Sequence, residues 1–158
     1  GLKELKEEIC HYLKRKQGLE YDPKDEVFLT VGGSEGIDAA MRAMLNPGEE
    51  VLIPQPSFVS YEPCTILAGG VPVIIELKAE NEFRLTAKEL EDAITEKTKL
   101  LVLPFPNNPT GAILERKDLE EIAEVIIKHD IFVMSDEIYA ELTYKDKHVS
   151  IAEIPGMQ

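Results

Sequence analysis

Residues 100–139 read LLVLPFPNNPTGAILERKDLEEIAEVIIKHDIFVMSDEIY, and this stretch decides the fold. An apolar run at 100–103 ends in a loop holding Pro104, Pro106, Pro109 and Gly111. Apolar residues then recur at helical spacing over 119–129, and a second apolar run follows at 131–134. Neither run alternates apolar with polar residues, so each suits a strand buried on both faces. A helix between two such strands is a crossover, and crossovers of this kind are right-handed and leave the strands parallel.

Working towards the N-terminus, the alternation continues. Apolar runs at 27–31, 51–53 and 71–77 read as strands, and helical patterns lie at 37–45, around 58–67 and at 87–94. Thr86 with Glu89 three residues on is a capping box that starts the last of these helices. Leu2, Leu5, Ile9, Tyr12 and Leu13 make 2–16 an amphipathic helix. The expected architecture is α/β, three layers with helices on both faces of a mostly parallel sheet. No repeat, low-complexity tract or linker divides residues 1–158, which read as one partial domain. The chain opens without Met, inside a helical pattern, and stops just after Pro155-Gly156, so a longer protein truncated here at both ends is expected.

Composition bounds the function. Seventeen Lys and Arg stand against thirty Asp and Glu in 158 residues, a net charge of −13 with no basic run, which disfavours nucleic acid and anionic membranes as partners. No apolar run approaches the roughly 20 residues of a membrane span, and the charged N-terminus is unlike a signal peptide, so a cytoplasmic location is expected. Cys10 and Cys64 share no metal-ligand spacing and are too few for a disulfide framework; no metal site is read.

In parallel sheets ligands sit beyond the carboxyl ends of the strands. After 27–31 comes Gly32-Gly33-Ser34-Glu35-Gly36, running into a helix whose free N–H groups favour a phosphate; by itself this is also a plain turn, and it lacks both GxxxxGK[ST] and GxGxxG. After 51–53 two prolines stiffen a loop that leads to Phe58, whose ring is placed to cover the face of a planar ligand; the plain alternative packs Phe58 and Tyr61 in the core. After 100–103 the proline-rich loop presents Asn107 and Asn108 rigidly. After 131–134 comes Ser135-Asp136-Glu137-Ile138-Tyr139. A carboxylate there is costly unless paired with a donor or cation, which a protonated ring nitrogen would supply; the plain alternative is Asp136 as the cap of the next turn. Glu137 reads as supporting or solvated.

In this order and at these separations, GGSEG, PSFVSY, PNNPTG and SDEIY resemble the class I/II aminotransferases, the fold type I pyridoxal-phosphate enzymes of the aspartate aminotransferase superfamily, over essentially the whole chain. The resemblance implies part of the large domain of such an enzyme. It also implies that pyridoxal 5'-phosphate is held by Gly33, Ser34 and Glu35 at its phosphate, with Phe58 stacked on the ring. Asn108 and Tyr139 would bond the phenolic oxygen, and Asp136 the pyridine nitrogen. Amino-acid and 2-oxo acid substrates and a homodimer are implied with them. The family's Schiff-base lysine falls beyond Gln158, so no catalytic residue is expected within the chain, which alone would be inactive. Lys145 and Lys147 sit in a charged turn and read as solvated. A carbon–sulfur lyase or cyclopropane-carboxylate synthase on the same scaffold is the enzymatic alternative. A non-catalytic aminotransferase-like ligand-binding or regulatory domain is the other. The resemblance further implies a contiguous sheet ordered 71–77, 51–53, 100–103, 131–134, with 27–31 either detached from it or far in sequence from its neighbour.

Overall fold

A computed structural model describes residues 1–144 and 147–158; Lys145 lies outside them, and Lys147 is exposed. Among the described residues the sheet has four strands, β1 (Glu50–Gln55), β2 (Val71–Glu76), β3 (Thr98–Leu103) and β4 (Phe132–Ser135), in the order β2-β1-β3-β4 and all parallel. That is the order the resemblance implied. Pro54 lies within β1 without breaking the sheet, because the ladder to β3 ends at Leu52 opposite Leu101, before the position where Pro54 lacks an N–H.

Alternate strand residues feed two cores. Leu52, Leu101 and Leu103 face helices α4 (Ala87–Ala93) and α5 (Arg116–His129), packing with Leu90, Ile122 and Ile126. Val51, Ile53, Leu100 and Val102 face α2 (Gly33–Met44) and α3 (Tyr61–Leu67), packing with Ile37, Met41 and Tyr61. The central strands β1 and β3 are covered on both faces, which is why they carry uninterrupted apolar runs, while the edge strands leave Val71, Ile74 and Phe132 exposed.

The helices start and stop for local reasons. Helix α1 (Lys3–Gln17) ends at Gly18, whose φ of 76° lets its N–H reach the carbonyl of Lys14. At α4 the expected capping box is present: the Glu89 N–H donates to Thr86 Oγ1 at 3.2 Å, and the Thr86 N–H donates to Glu89 at 3.1 Å. Thr86→Ala removes one half of it and should destabilise the fold by about 1 kcal/mol, read as a shifted midpoint in urea; an unchanged midpoint would show the cap to be redundant. Helix α5 begins one turn earlier than its apolar periodicity indicates, because Asp118 accepts the Glu115 N–H at 2.8 Å and caps a turn with no apolar face. Helix α3 begins later than expected, at Tyr61.

Two expectations need correction. Residues 27–31 form no strand: Phe28 is 80% and Val31 94% exposed, and among the described residues no ladder reaches them. A β-rich composition becomes a strand only where a neighbour takes its N–H and C=O groups. The glycine-rich tract is also not a loop ahead of a helix starting at residue 37. Gly33, Ser34 and Glu35 are themselves the first turn of α2, entered through Gly32 at a φ of 88°. The low helix propensity of Gly33 and Gly36 hid that turn.

Candidate active site

Because every strand is parallel, the segments that leave β1, β3 and β4 emerge at one edge of the sheet, and the first turn of α2 meets them there. They enclose a cleft of about 180 Å³ lined by Gly33, Ser34, Ile37, Phe58, Tyr61, Pro104, Pro106, Asn108, Asp136, Ile138 and Tyr139. Six of the seven residues singled out from the sequence are thereby brought together from four separate segments. Glu35 is the exception: its carboxylate turns back to accept from the Val31 N–H, and it does not line the cleft.

Asp136 lies where β4 ends, its own N–H donating to the carbonyl of Leu103 at 3.1 Å. The Tyr61 hydroxyl donates to Asp136 Oδ2 at 2.8 Å, and the Ile138 N–H donates to Oδ1 at 3.2 Å. The turn-capping role is therefore real, and it coexists with a second, long-range partner. Burial, and then the bond to Asp136, push the Tyr61 phenol far above its usual range, so it stays a donor at any ordinary pH. Phe58 meets the Tyr61 ring edge-on, with centroids 5.8 Å apart and planes at 81°.

The two asparagines of the proline-rich loop divide. Asn107 is buried inside it, where its Oδ1 accepts from the Thr110 hydroxyl at 2.9 Å and its N–H donates to the Ala112 carbonyl at 2.9 Å. Asn108 faces the cleft. At α2, no side chain caps the first turn, so its N–H groups remain free for an anion.

Glu137 points away from the cleft. It accepts from Ser135 Oγ at 2.8 Å, Ser150 Oγ at 2.6 Å and Gln17 Nε2 at 3.2 Å, and pairs with His148 Nε2 at 2.7 Å. Burial works to raise its carboxyl pKa, but the bonds from His148, Ser150 and Ser135 outweigh burial and hold it below its ordinary value. The sequence reads Glu137 as supporting or solvated and Tyr61 as a residue of the core, so the contact of Tyr61 with Asp136 is new in the structure. The one available signal for Tyr61 was a hydroxyl on a buried helix face, which must find an acceptor.

The fold and this edge cleft define a doubly wound α/β domain that brings a carboxylate, an aromatic wall and a helix N-terminus to one cleft. The chain belongs to the aminotransferase class I and II family, which it matches over residues 1–157. It is 49% identical over 158 residues to the putative aminotransferase YugH of Bacillus subtilis, covering 100% of this chain and 41% of that protein. It is 50% identical over 158 residues to an aspartate aminotransferase of Pyrococcus abyssi, covering 99% of this chain and 41% of that protein. An aromatic aminotransferase structure from Pyrococcus horikoshii OT3 superposes with a TM-score of 0.97 at 48% identity, over 99% of this chain and 42% of that one. The chain thus spans about two-fifths of the length of these relatives. No helix among the described residues is long and apolar enough to cross a membrane.

Proposed function

We propose that these 158 residues are part of the large domain of a pyridoxal-phosphate-dependent aminotransferase, which moves an amino group between an amino acid and a 2-oxo acid. The observation that carries this reading is the convergence of Ser34, Phe58, Asn108, Asp136 and Tyr139 on one cleft. Their chemistry fits a flat, phosphorylated, cationic ring. Asp136 offers negative charge, with both oxygens held in place and lone pairs to spare. Phe58 offers an aromatic face, and Asn108 and Tyr139 offer neutral hydrogen bonds. The uncapped turn of Gly33, Ser34 and Glu35 offers N–H groups to a phosphate.

In this assignment the cofactor supplies the electron sink for the pair released when the substrate Cα–H bond breaks. The chain's own residues would hold it: Asp136 would keep a proton on the ring nitrogen, Phe58 would shield one ring face from water, Asn108 and Tyr139 would bond the ring oxygen, and the α2 turn would anchor the phosphate. The cleft, at about 180 Å³, is smaller than the roughly 300–1,000 Å³ of a whole small-molecule site, in keeping with one wall of a larger pocket. Other walls, the Schiff-base lysine and the arginines for substrate carboxylates are assigned to the rest of a longer subunit, and without them the chain is proposed to be inactive.

An aspartate aminotransferase and an aromatic aminotransferase resemble this chain to nearly the same degree, at 50% and 48% identity, so the proposal names its substrates as a class. A cytoplasmic homodimer belongs to the same reading. The full-length protein should be coloured as purified or on adding pyridoxal phosphate, and its absorbance should change when an amino acid is added. A colourless protein indifferent to both additions would sink the proposal.

A further inference from the structure

We propose that Tyr61 is a positioning residue of this cleft, holding the Asp136 carboxylate and the Phe58 ring in register with each other, a role that rests on the cofactor reading above. Tyr61 opens α3 and is 2% exposed, packed in the core cluster with Met41, Ile53 and Val102. Its backbone carbonyl accepts from the hydroxyl of fully buried Thr65 at 2.8 Å, which fixes the first turn of the helix. The ring is therefore immobile, and the position of its hydroxyl is set by packing.

That hydroxyl needs an account of its own. A phenylalanine would fill the same core space with no polar atom to desolvate, whereas a buried O–H is costly unless it is bonded. Among the described residues the Tyr61 hydroxyl has one acceptor, Asp136 Oδ2 at 2.8 Å. Its ring edge meets Phe58 at 5.8 Å between centroids. One buried side chain thus touches both the charge at one end of the cleft and the aromatic wall beside it. With Oδ1 bound by the Ile138 N–H, the carboxylate is restrained at both oxygens and cannot rotate without breaking a bond. Loss of the Tyr61 hydroxyl frees one oxygen and leaves the ring contact with Phe58 intact, so the two duties are separable by mutation.

The test uses the full-length protein. Tyr61→Phe should leave the melting temperature within a few degrees of wild type, turn the Asp136 carboxylate in the cofactor-free crystal structure, and weaken pyridoxal phosphate binding by about tenfold in equilibrium dialysis, the loss typical of a bond to a charged group. A carboxylate in its original place, with affinity within twofold of wild type, overturns the proposal. A second arm leaves Tyr61 intact: Asp136→Asn should shift the 13Cζ resonance of one labelled tyrosine, and no shift overturns the pairing. Wild-type protein that takes up no cofactor, with Asp136 still displaced in Tyr61→Phe, overturns the cofactor reading and upholds the hold of Tyr61 on Asp136.

Discussion

Asp136→Ala in the full-length protein is expected to cut kcat for transamination by about three orders of magnitude or more, equivalent to about 4 kcal/mol of barrier, with a much smaller change in KM. The negative charge of Asp136 is what would keep a pyridine nitrogen protonated, and that proton matters most when electron density moves into the ring, in the transition state. Asp136→Asn retains the shape and one acceptor oxygen, enough for the Ile138 N–H, but loses the charge and turns the second acceptor into an NH2 donor. It should fall nearly as far, and the pair of variants separates charge from turn geometry. Steady-state kinetics with an amino acid and a 2-oxo acid provide the measurement. Activity of Asp136→Ala within a few-fold of wild type would reduce Asp136 to the cap of the Ile138 N–H.

Glu137→Ala is expected to destabilise the fold by about 3 kcal/mol or more, a large share of the roughly 5–15 kcal/mol that holds a domain together. The reason is what it leaves behind: Ser135, Ser150, Gln17 and His148 all direct polar hydrogens at this one carboxylate, and all lose their acceptor together. The network ties α1, the end of β4 and the turn at Ile151–Glu153, so the loss should also loosen the segment that carries Asp136 and Tyr139. The pH dependence has a definite sign. The folded-state pKa of Glu137 is depressed below its ordinary 4.5, so its contribution is fully present above pH 4.5 and is lost as pH falls through the lower, folded value. Glu20, Glu49, Glu91 and Glu141 are lowered as well, but they lie at the surface, where solvent screens them. Urea unfolding measured from pH 6 down to pH 3 should show a shallower loss of stability in Glu137→Ala than in wild type. Parallel curves would show that Glu137 carries no such linkage.

What the sequence by itself determined was whatever depends on short-range pattern. Uninterrupted apolar runs marked all four strands, in β1 and β3 because a strand covered on both faces has no polar side to show, although the edge strands β2 and β4 leave Val71, Ile74 and Phe132 exposed; Thr86 with Glu89 marked the start of α4 because a capping box is closed within four residues. The motifs PNNPTG and SDEIY located the loops of the cleft, since prolines and a carboxylate at a strand end are local chemistry. Only the tertiary structure decided the rest. Residues 27–31 have a strand's composition and, among the described residues, no ladder partner, because a ladder is a property of two segments. Gly33, Ser34 and Glu35 became helix because the turn at Gly32 and the packing of α2 on the sheet outweigh the weak propensity of Gly33 and Gly36. The bond between Tyr61 and Asp136 spans 75 residues, and no periodicity in a chain can report that a hydroxyl on one helix and a carboxylate after a distant strand will be 2.8 Å apart, since that distance is set by the packing of every element between them.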